Sequence, residues 1–221
     1  MPTGDSPDAG RRPALQAAAI AAGLATLCAL FMGFGVQPPA SVATFQPSMA
    51  TVSPTEFMRF ITTDAALTLR FFAADSLFVL SYLVVFFGWH TLTAPRAPAL
   101  AGLGLAAGVT AAVCDALENA HFIVYASLAL GKVAVPEPAL PLVYLIANLK
   151  WEAAFAALLV FGLLWPREGW VDRGIVVLML AFPLVGVLGV AVPALVPVRS
   201  LFFLVAMPLF AWYFWRAATR A

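Results

Sequence analysis

The residues best able to do chemistry in this sequence lie close together in one apolar stretch that contains Asp115, Glu118, Asn119 and His121. With Phe122, the first three follow i, i+3, i+4, i+7 spacing, which places them on one stripe of a helix. A charge at bilayer depth costs at least ~2.5–3.5 kcal/mol, so such groups persist only where something compensates for them. Buried carboxylates of this kind are suited to proton transfer or to holding a cation.

Two neighbouring apolar stretches carry polar groups that we expect at the same depth, in the outer third of the membrane. Asp75 and Tyr82 lie two turns apart on one side of the preceding stretch. The following stretch carries a stripe of four side chains, namely Tyr144, Asn148, Trp151 and Glu152, with Lys150 well round from it. Because an acid facing lipid is costly, the stripes are predicted to face one another.

The candidate site residues follow from these stripes. The acid/base candidates are the carboxylic acids Asp75, Asp115, Glu118 and Glu152. The candidate ligand-binding residues are Asn119, Asn148, Lys150, Tyr82 and Tyr144. Asp115, Glu118 and His121 are the ligands to expect if a metal is bound, although the sequence demands no cofactor.

The ionisable groups inside these stretches do not balance, since Arg70 and Lys150 oppose four acids. Three physical solutions are open: an acid holds a proton, a bound cation neutralises the acids, or water fills a cavity that opens outward. A plainer reading is also open, in which the asparagines hydrogen-bond between helices and Lys150 forms a structural ion pair.

Composition sets the class of protein. Of 221 residues, 63% are hydrophobic and 10% charged, whereas soluble domains average about 45–50% apolar and about 25% charged. We therefore predict an all-α, polytopic membrane bundle. The net charge of +1 offers no basic field for nucleic acid.

Proline-rich breaks divide the chain into six predicted membrane spans, at about 14–36, 64–90, 97–130, 140–165, 174–192 and 195–215. Residues 1–13 are predicted to be a disordered cytoplasmic tail, and residues 217–221 a short cytoplasmic tail. The first apolar run is longer than a cleavable signal, so we expect it to be retained, although Ser41, Val42 and Ala43 resemble a cleavage site.

The basic residues predict the orientation. Seven arginines fall on one side of a six-span chain, against Arg59, Lys132 and Arg199 on the other. The richer side carries Arg11, Arg12, Arg96, Arg167, Arg173, Arg216 and Arg220. This distribution predicts a multi-pass protein of the inner (plasma) membrane with both termini in the cytoplasm.

A short amphipathic segment precedes the second span. Ser53 and Glu56 have the spacing of a capping box, with Pro54 at the first helical position. Phe57, Phe60 and Ile61 then share one side of a helix. We predict an interfacial helix in the first external loop, which either covers a site or merely leads into the next span.

Three short patterns resemble a group of small uncharacterised bacterial polytopic membrane proteins. They are Asp115-x-x-Glu118-Asn119 in the third span, Asp75-Ser76-x-Phe78 in the second, and Lys150-Trp151 in the fourth. The resemblance covers the second to fourth spans. It implies an integral membrane protein and attaches no activity to it.

Three functions follow as hypotheses. The first is binding or transformation of a lipid-like or amphipathic small molecule at the acidic and amide cluster, from the outer leaflet. The second is a structural or assembly subunit of a membrane complex, whose polar cluster sets helix register. The third is a proton- or cation-coupled transporter, for which a homo-oligomer would have to complete the polar path. Whether the protein is an enzyme is left open.

Overall fold

The computed structural model describes residues 10–36, 53–136, 139–192 and 195–220, and their regular secondary structure is entirely helical. The first helix is α1 (Arg11–Leu30), which continues into a π-helical turn (Phe31–Gly35). The remaining helices are α2 (Pro54–Thr63), α3 (Ala65–Thr93), α4 (Pro98–Leu130), α5 (Leu140–Leu164), α6 (Trp170–Ala191) and α7 (Val196–Ala218).

Within the described ranges, six helices, all except α2, are long and apolar enough to cross a membrane, so the protein is a multi-pass integral membrane protein. The predicted helical bundle with six spans is confirmed. The helix α1 begins at Arg11 and not at residue 14, because Pro13 is tolerated in a first turn, where backbone N–H groups have no helical partner. Most of the predicted N-terminal tail, and the proposed cleavage site, lie outside the described residues.

Two later helices also differ from their predicted bounds. The helix α6 begins at Trp170, because the Asp172 carboxylate accepts a hydrogen bond from the Gly169 N–H at 2.8 Å and closes the first turn. The helix α7 continues to Ala218, so it includes the first two residues of the predicted C-terminal tail.

The short helix α2 forms where the capping pattern predicts it. The Ser53 hydroxyl accepts a hydrogen bond from the Glu56 N–H at 3.2 Å, and Pro54 is the first helical residue. Phe57 and Ile61 are buried, and they pack with residues of α3 and α4. The helix therefore covers one end of the α3–α4 pair, and its place in the membrane interface stays a prediction.

The long helices form a closed ring in which each packs on the next, in the order α1, α3, α4, α5, α6 and α7, with α7 returning to α1. We call the end at which α1 begins and α7 ends the inner end, and the opposite end the outer end. Towards the inner end, aromatic rings fill the interior: Phe86, Trp89, Phe161, Phe210 and Phe214. The ring centroids of Trp89 and Phe210 are 4.8 Å apart.

Small residues on α4 let α3 and α5 approach closely. A methyl group added at Gly108 would lie 2.6 Å from the ring of Phe86, and one at Gly104 would lie 3.1 Å from Phe161. Small side chains at helix interfaces allow this kind of contact in membranes. Asp115 lies two turns beyond Gly108 on the same face, so its carboxylate is directed between α3 and α5.

Candidate functional site

Four buried side chains from three helices form one hydrogen-bonded group, which we call the buried quartet: Tyr82, Asp115, Glu118 and Lys150. Each is 8% exposed or less. The Lys150 ammonium donates to Asp115 Oδ1 at 2.9 Å and to Glu118 Oε2 at 2.5 Å. The Tyr82 hydroxyl donates to Asp115 Oδ2 at 2.9 Å. The quartet therefore ties α3, α4 and α5 together at one level of the bundle.

The predicted inward stripe of α5 is wrong. Lys150 is buried, together with Val143, Ala147, Ala153 and Ala157 on the same face. This rotation of the helix brings a cation to two carboxylates, whereas turning Glu152 inward would have added a further acid to the interior.

Asn148 and Glu152 consequently do not join the acidic cluster, and both side chains are exposed on the outside of α5. The Asn148 amide donates to the Tyr144 carbonyl of its own helix at 2.9 Å. Tyr144 itself lies nearer the outer end, where it packs with the residues around Phe57. Of the four residues in the predicted α5 stripe, none is a member of the quartet.

Asp75 and Asn119 form a second layer on the outer side of the quartet. Asn119 is 2% exposed, and its amide lies 3.5 Å from the hydroxyl of Ser76, the residue after Asp75. Asp75 is half-buried and acts on Lys150 at longer range than the two paired acids. Asp75 therefore lies near Asp115 and Glu118, and the role of these three acids as one functional site stays a prediction.

The ammonium of Lys150 occupies the position between carboxylates that a bound cation would take. Among the residues described, no group of three or more His, Cys, Asp or Glu side chains is placed to hold a metal. His121 lies to one side, where its ring contacts Phe57 and Tyr125 at centroid distances of 6.1 and 4.6 Å. The trio of Asp115, Glu118 and His121 is thus not assembled as a ligand set.

A cleft of about 330 Å³ lies between α4 and α5 beside the quartet. Its lining is mostly apolar: Leu117, Ala120, Val124, Tyr125, Leu142, Val143 and Ile146. Two polar residues, Glu118 and His121, also line it. The His121 Nε2 atom is buried and has no hydrogen-bond partner within the described ranges. The cleft therefore combines an apolar wall with a carboxylate and an unused imidazole nitrogen.

Sequence reasoning missed the cleft and its apolar lining. Leu117, Val124 and Leu142 are exposed on the outside of the bundle, where apolar side chains normally contact lipid tails. Their residue types are therefore the same whether they line a binding cleft or simply face lipid. Only the packing of α5 against α4 separates the two cases.

No family model matches this chain, and no curated protein or solved structure matches it either. The function of the site must therefore be argued from the residues of this chain. Their geometry establishes a multi-pass membrane bundle with a charge-paired quartet between α3, α4 and α5, and an apolar cleft beside it.

Proposed function

We propose that the protein binds a lipid-like or amphipathic small molecule in the cleft between α4 and α5, with the polar group of the ligand next to Glu118 and His121. The observation that carries this proposal is a mostly apolar cleft that ends at a buried carboxylate and an unpaired imidazole nitrogen. Ligand sites commonly enclose about 300–1,000 Å³ and use a few polar groups for orientation.

The chemistry of the two polar residues indicates what the ligand carries. A carboxylate accepts hydrogen bonds, and an imidazole nitrogen either accepts or donates one. A hydroxyl or amine group on an apolar chain suits both residues. Lys150 holds Glu118 in place, so the carboxylate is positioned before the ligand arrives. Binding is the step we propose, and acid–base chemistry would follow only if a reacting atom came within about 2.6–3.2 Å of either residue.

The structural alternative is favoured by one feature of the quartet, which is that its charged groups are paired with one another. A paired group needs no ligand, and its role could end with fixing the register of α3, α4 and α5. Under this alternative, the whole quartet can be exchanged for apolar residues of similar volume. The membrane complex to which the protein would belong then works as before.

The transporter alternative ranks lowest. On the inner side of the quartet, the core cluster of the described residues is hydrophobic and includes the aromatic side chains of Phe86, Trp89 and Phe161. The ring of Phe86 lies 5.1 Å from that of Trp89. Proton or cation flux into proteoliposomes that depends on Asp75 would nevertheless reverse this ranking.

The proposal is tested by filling the cleft. Ala120 lines it, whereas Ala116 lies one turn earlier on the exposed side of α4 and does not. We expect Ala120→Trp to lower photo-crosslinking of a photoactivatable long-chain alcohol or amine to α4 and α5 by about tenfold, since the indole occupies the ligand volume. Labelled peptides are identified by mass spectrometry.

Ala116→Trp is the matched control, because it adds the same side chain to the same helix outside the cleft. We expect it to label as the wild type does. Equal labelling of the Ala120→Trp and wild-type proteins contradicts the proposal. His121→Phe, which keeps an aromatic ring at this position but removes both nitrogens, should weaken labelling without closing the cleft.

A further inference from the structure

A second cavity opens at the inner end of the bundle, far from the quartet, and encloses about 430 Å³. Its walls carry four arginines, from the start of α1, the α3–α4 connection and the end of α7: Arg11, Arg96, Arg216 and Arg220. Two acids, Glu168 and Asp172, also line it. Four guanidinium groups against two carboxylates leave an excess of two positive charges.

The two acids are already engaged. Glu168 pairs with Arg96 at 3.5 Å. The Asp172 carboxylate accepts a hydrogen bond from the Gly169 N–H at 2.8 Å. Within the described ranges, the other three arginines have no acid within ion-pair distance. The excess positive charge is therefore not neutralised by the walls of the cavity.

The arginine Arg11 shows most clearly that a partner is missing. Its Nε atom is buried and has no hydrogen-bond partner in the part of the chain that the structure describes. Arg216 approaches the cavity from α7, where its guanidinium lies 5.3 Å from the centroid of the Trp212 ring. A buried donor without an acceptor is costly, and the protein groups around Arg11 leave this donor unsatisfied.

Phosphate is the anion that this chemistry fits best. Guanidinium groups present paired N–H donors that match phosphate oxygens, and arginines that converge on one space can hold a phosphate from several sides. Three arginines at the same end do not line the cavity: Arg12, Arg167 and Arg173. The general excess of basic residues on this side therefore does not explain why four arginines converge.

The surroundings of the cavity indicate where the phosphate comes from. Trp170 lines the cavity and is 85% exposed, and Trp212 and Trp215 are exposed at the same end of the bundle. Exposed tryptophans are typical of the level of lipid head groups. Basic pockets between membrane helices on the cytoplasmic side bind anionic head groups elsewhere. We propose that this cavity binds the phosphate group of an anionic phospholipid.

The test compares two double variants that remove the same charge from the same end. The full chain in mild detergent is titrated with phosphatidylglycerol and phosphatidylcholine, and binding is followed by native mass spectrometry. We expect the wild type to prefer phosphatidylglycerol, and Arg11→Gln with Arg216→Gln to weaken its binding about tenfold or more. Arg12→Gln with Arg173→Gln should change it less than about twofold.

Equal loss in the two double variants overturns the proposal, because it would mean that the net charge of the face suffices. Binding of inorganic phosphate or glycerol phosphate with the same arginine dependence, but none of phosphatidylglycerol, overturns the lipid source. If the glutamine variant does not fold, Arg11→Lys with Arg216→Lys keeps the charge and removes the paired donors. Weaker binding in that variant supports a built site, and unchanged binding overturns it.

Discussion

Two groups of charged residues in this bundle follow opposite designs. The quartet holds Lys150 between Asp115 and Glu118, with all three side chains buried and both carboxylates bonded to the lysine. The inner cavity gathers arginines whose positive charge exceeds that of the acids around them, and Arg11 leaves a donor unused. In the quartet each charged side chain has a partner of opposite charge within the protein, although one ammonium faces two carboxylates, whereas the cavity is left open to a partner.

The difference follows from where each group lies relative to water. A charge in the middle of the bundle has no solvent, so the protein itself must provide the opposite charge. A charge at the end of the bundle is hydrated or meets head groups, so no protein partner has to be built for it. For this reason, a ligand is better sought beside the quartet or at the open end than within the quartet.

The largest effect is expected from removing the cation of the quartet. Lys150→Met leaves Asp115 and Glu118 buried without their partner, and we expect it to lower the free energy of unfolding by about 3–5 kcal/mol. Unfolding in detergent by denaturant or heat measures this loss. Asn148→Ala, on the exposed side of the same helix, should change stability by no more than about 0.5 kcal/mol.

If Lys150→Met lowers the free energy of unfolding as little as Asn148→Ala does, the buried carboxylates do not depend on Lys150 as their partner. A further variant refines the comparison by replacing the whole quartet: Tyr82→Phe, Asp115→Leu, Glu118→Met and Lys150→Met. Apolar replacement of a complete buried ion pair is often neutral or stabilising, so stability should recover most of the loss.

A smaller effect is expected from the tyrosine of the quartet. Tyr82→Phe removes one hydrogen bond to the Asp115 carboxylate and keeps the ring, so we expect a loss of about 1.5–3 kcal/mol. Thr110→Val is a matched control, because the Thr110 hydroxyl is exposed and bonds only the Ala106 carbonyl of its own helix at 2.9 Å. If both variants lower the free energy of unfolding by the same small amount, the Tyr82 hydrogen bond contributes little to the stability of the quartet.

The smallest effect is expected at the inner cavity. Arg96→Gln breaks the exposed pair with Glu168, and such pairs contribute about 0–1 kcal/mol. The effect should shrink further at high salt, which screens exposed charges, while the loss for Lys150→Met should persist. Stability measured at low and high salt checks both statements. If Arg96→Gln lowered the free energy of unfolding by more than about 2 kcal/mol at both salt concentrations, the inner cavity would not differ from the quartet in this respect.

Much of the fold was predictable because its signals are local. Six apolar runs of spanning length, separated by prolines, define the six long helices, and Ser53 with Pro54 marks the start of α2. The site was predictable in part. The spacing of Asp115, Glu118 and Asn119 placed them on one buried face of α4, because that pattern depends only on the helical repeat.

Which face of α5 is buried could not be predicted from local spacing in the same way. Counting polar residues favoured the stripe with Asn148 and Glu152, whereas burial of Lys150 depends on acids that another helix supplies. The pairing of a lysine with carboxylates more than thirty positions away is decided by how the helices rotate against one another. No local pattern carries that information.

By itself, the sequence determined the membrane class, the number of long helices and the acidic stripe of α4, since composition and helical periodicity are properties of the chain alone. Only the tertiary structure decided that Lys150 bridges Asp115 and Glu118, that His121 stands apart at a cleft, and that four arginines share one cavity. These outcomes depend on the relative rotation and close packing of helices distant in sequence, which is why they appear only in the folded bundle.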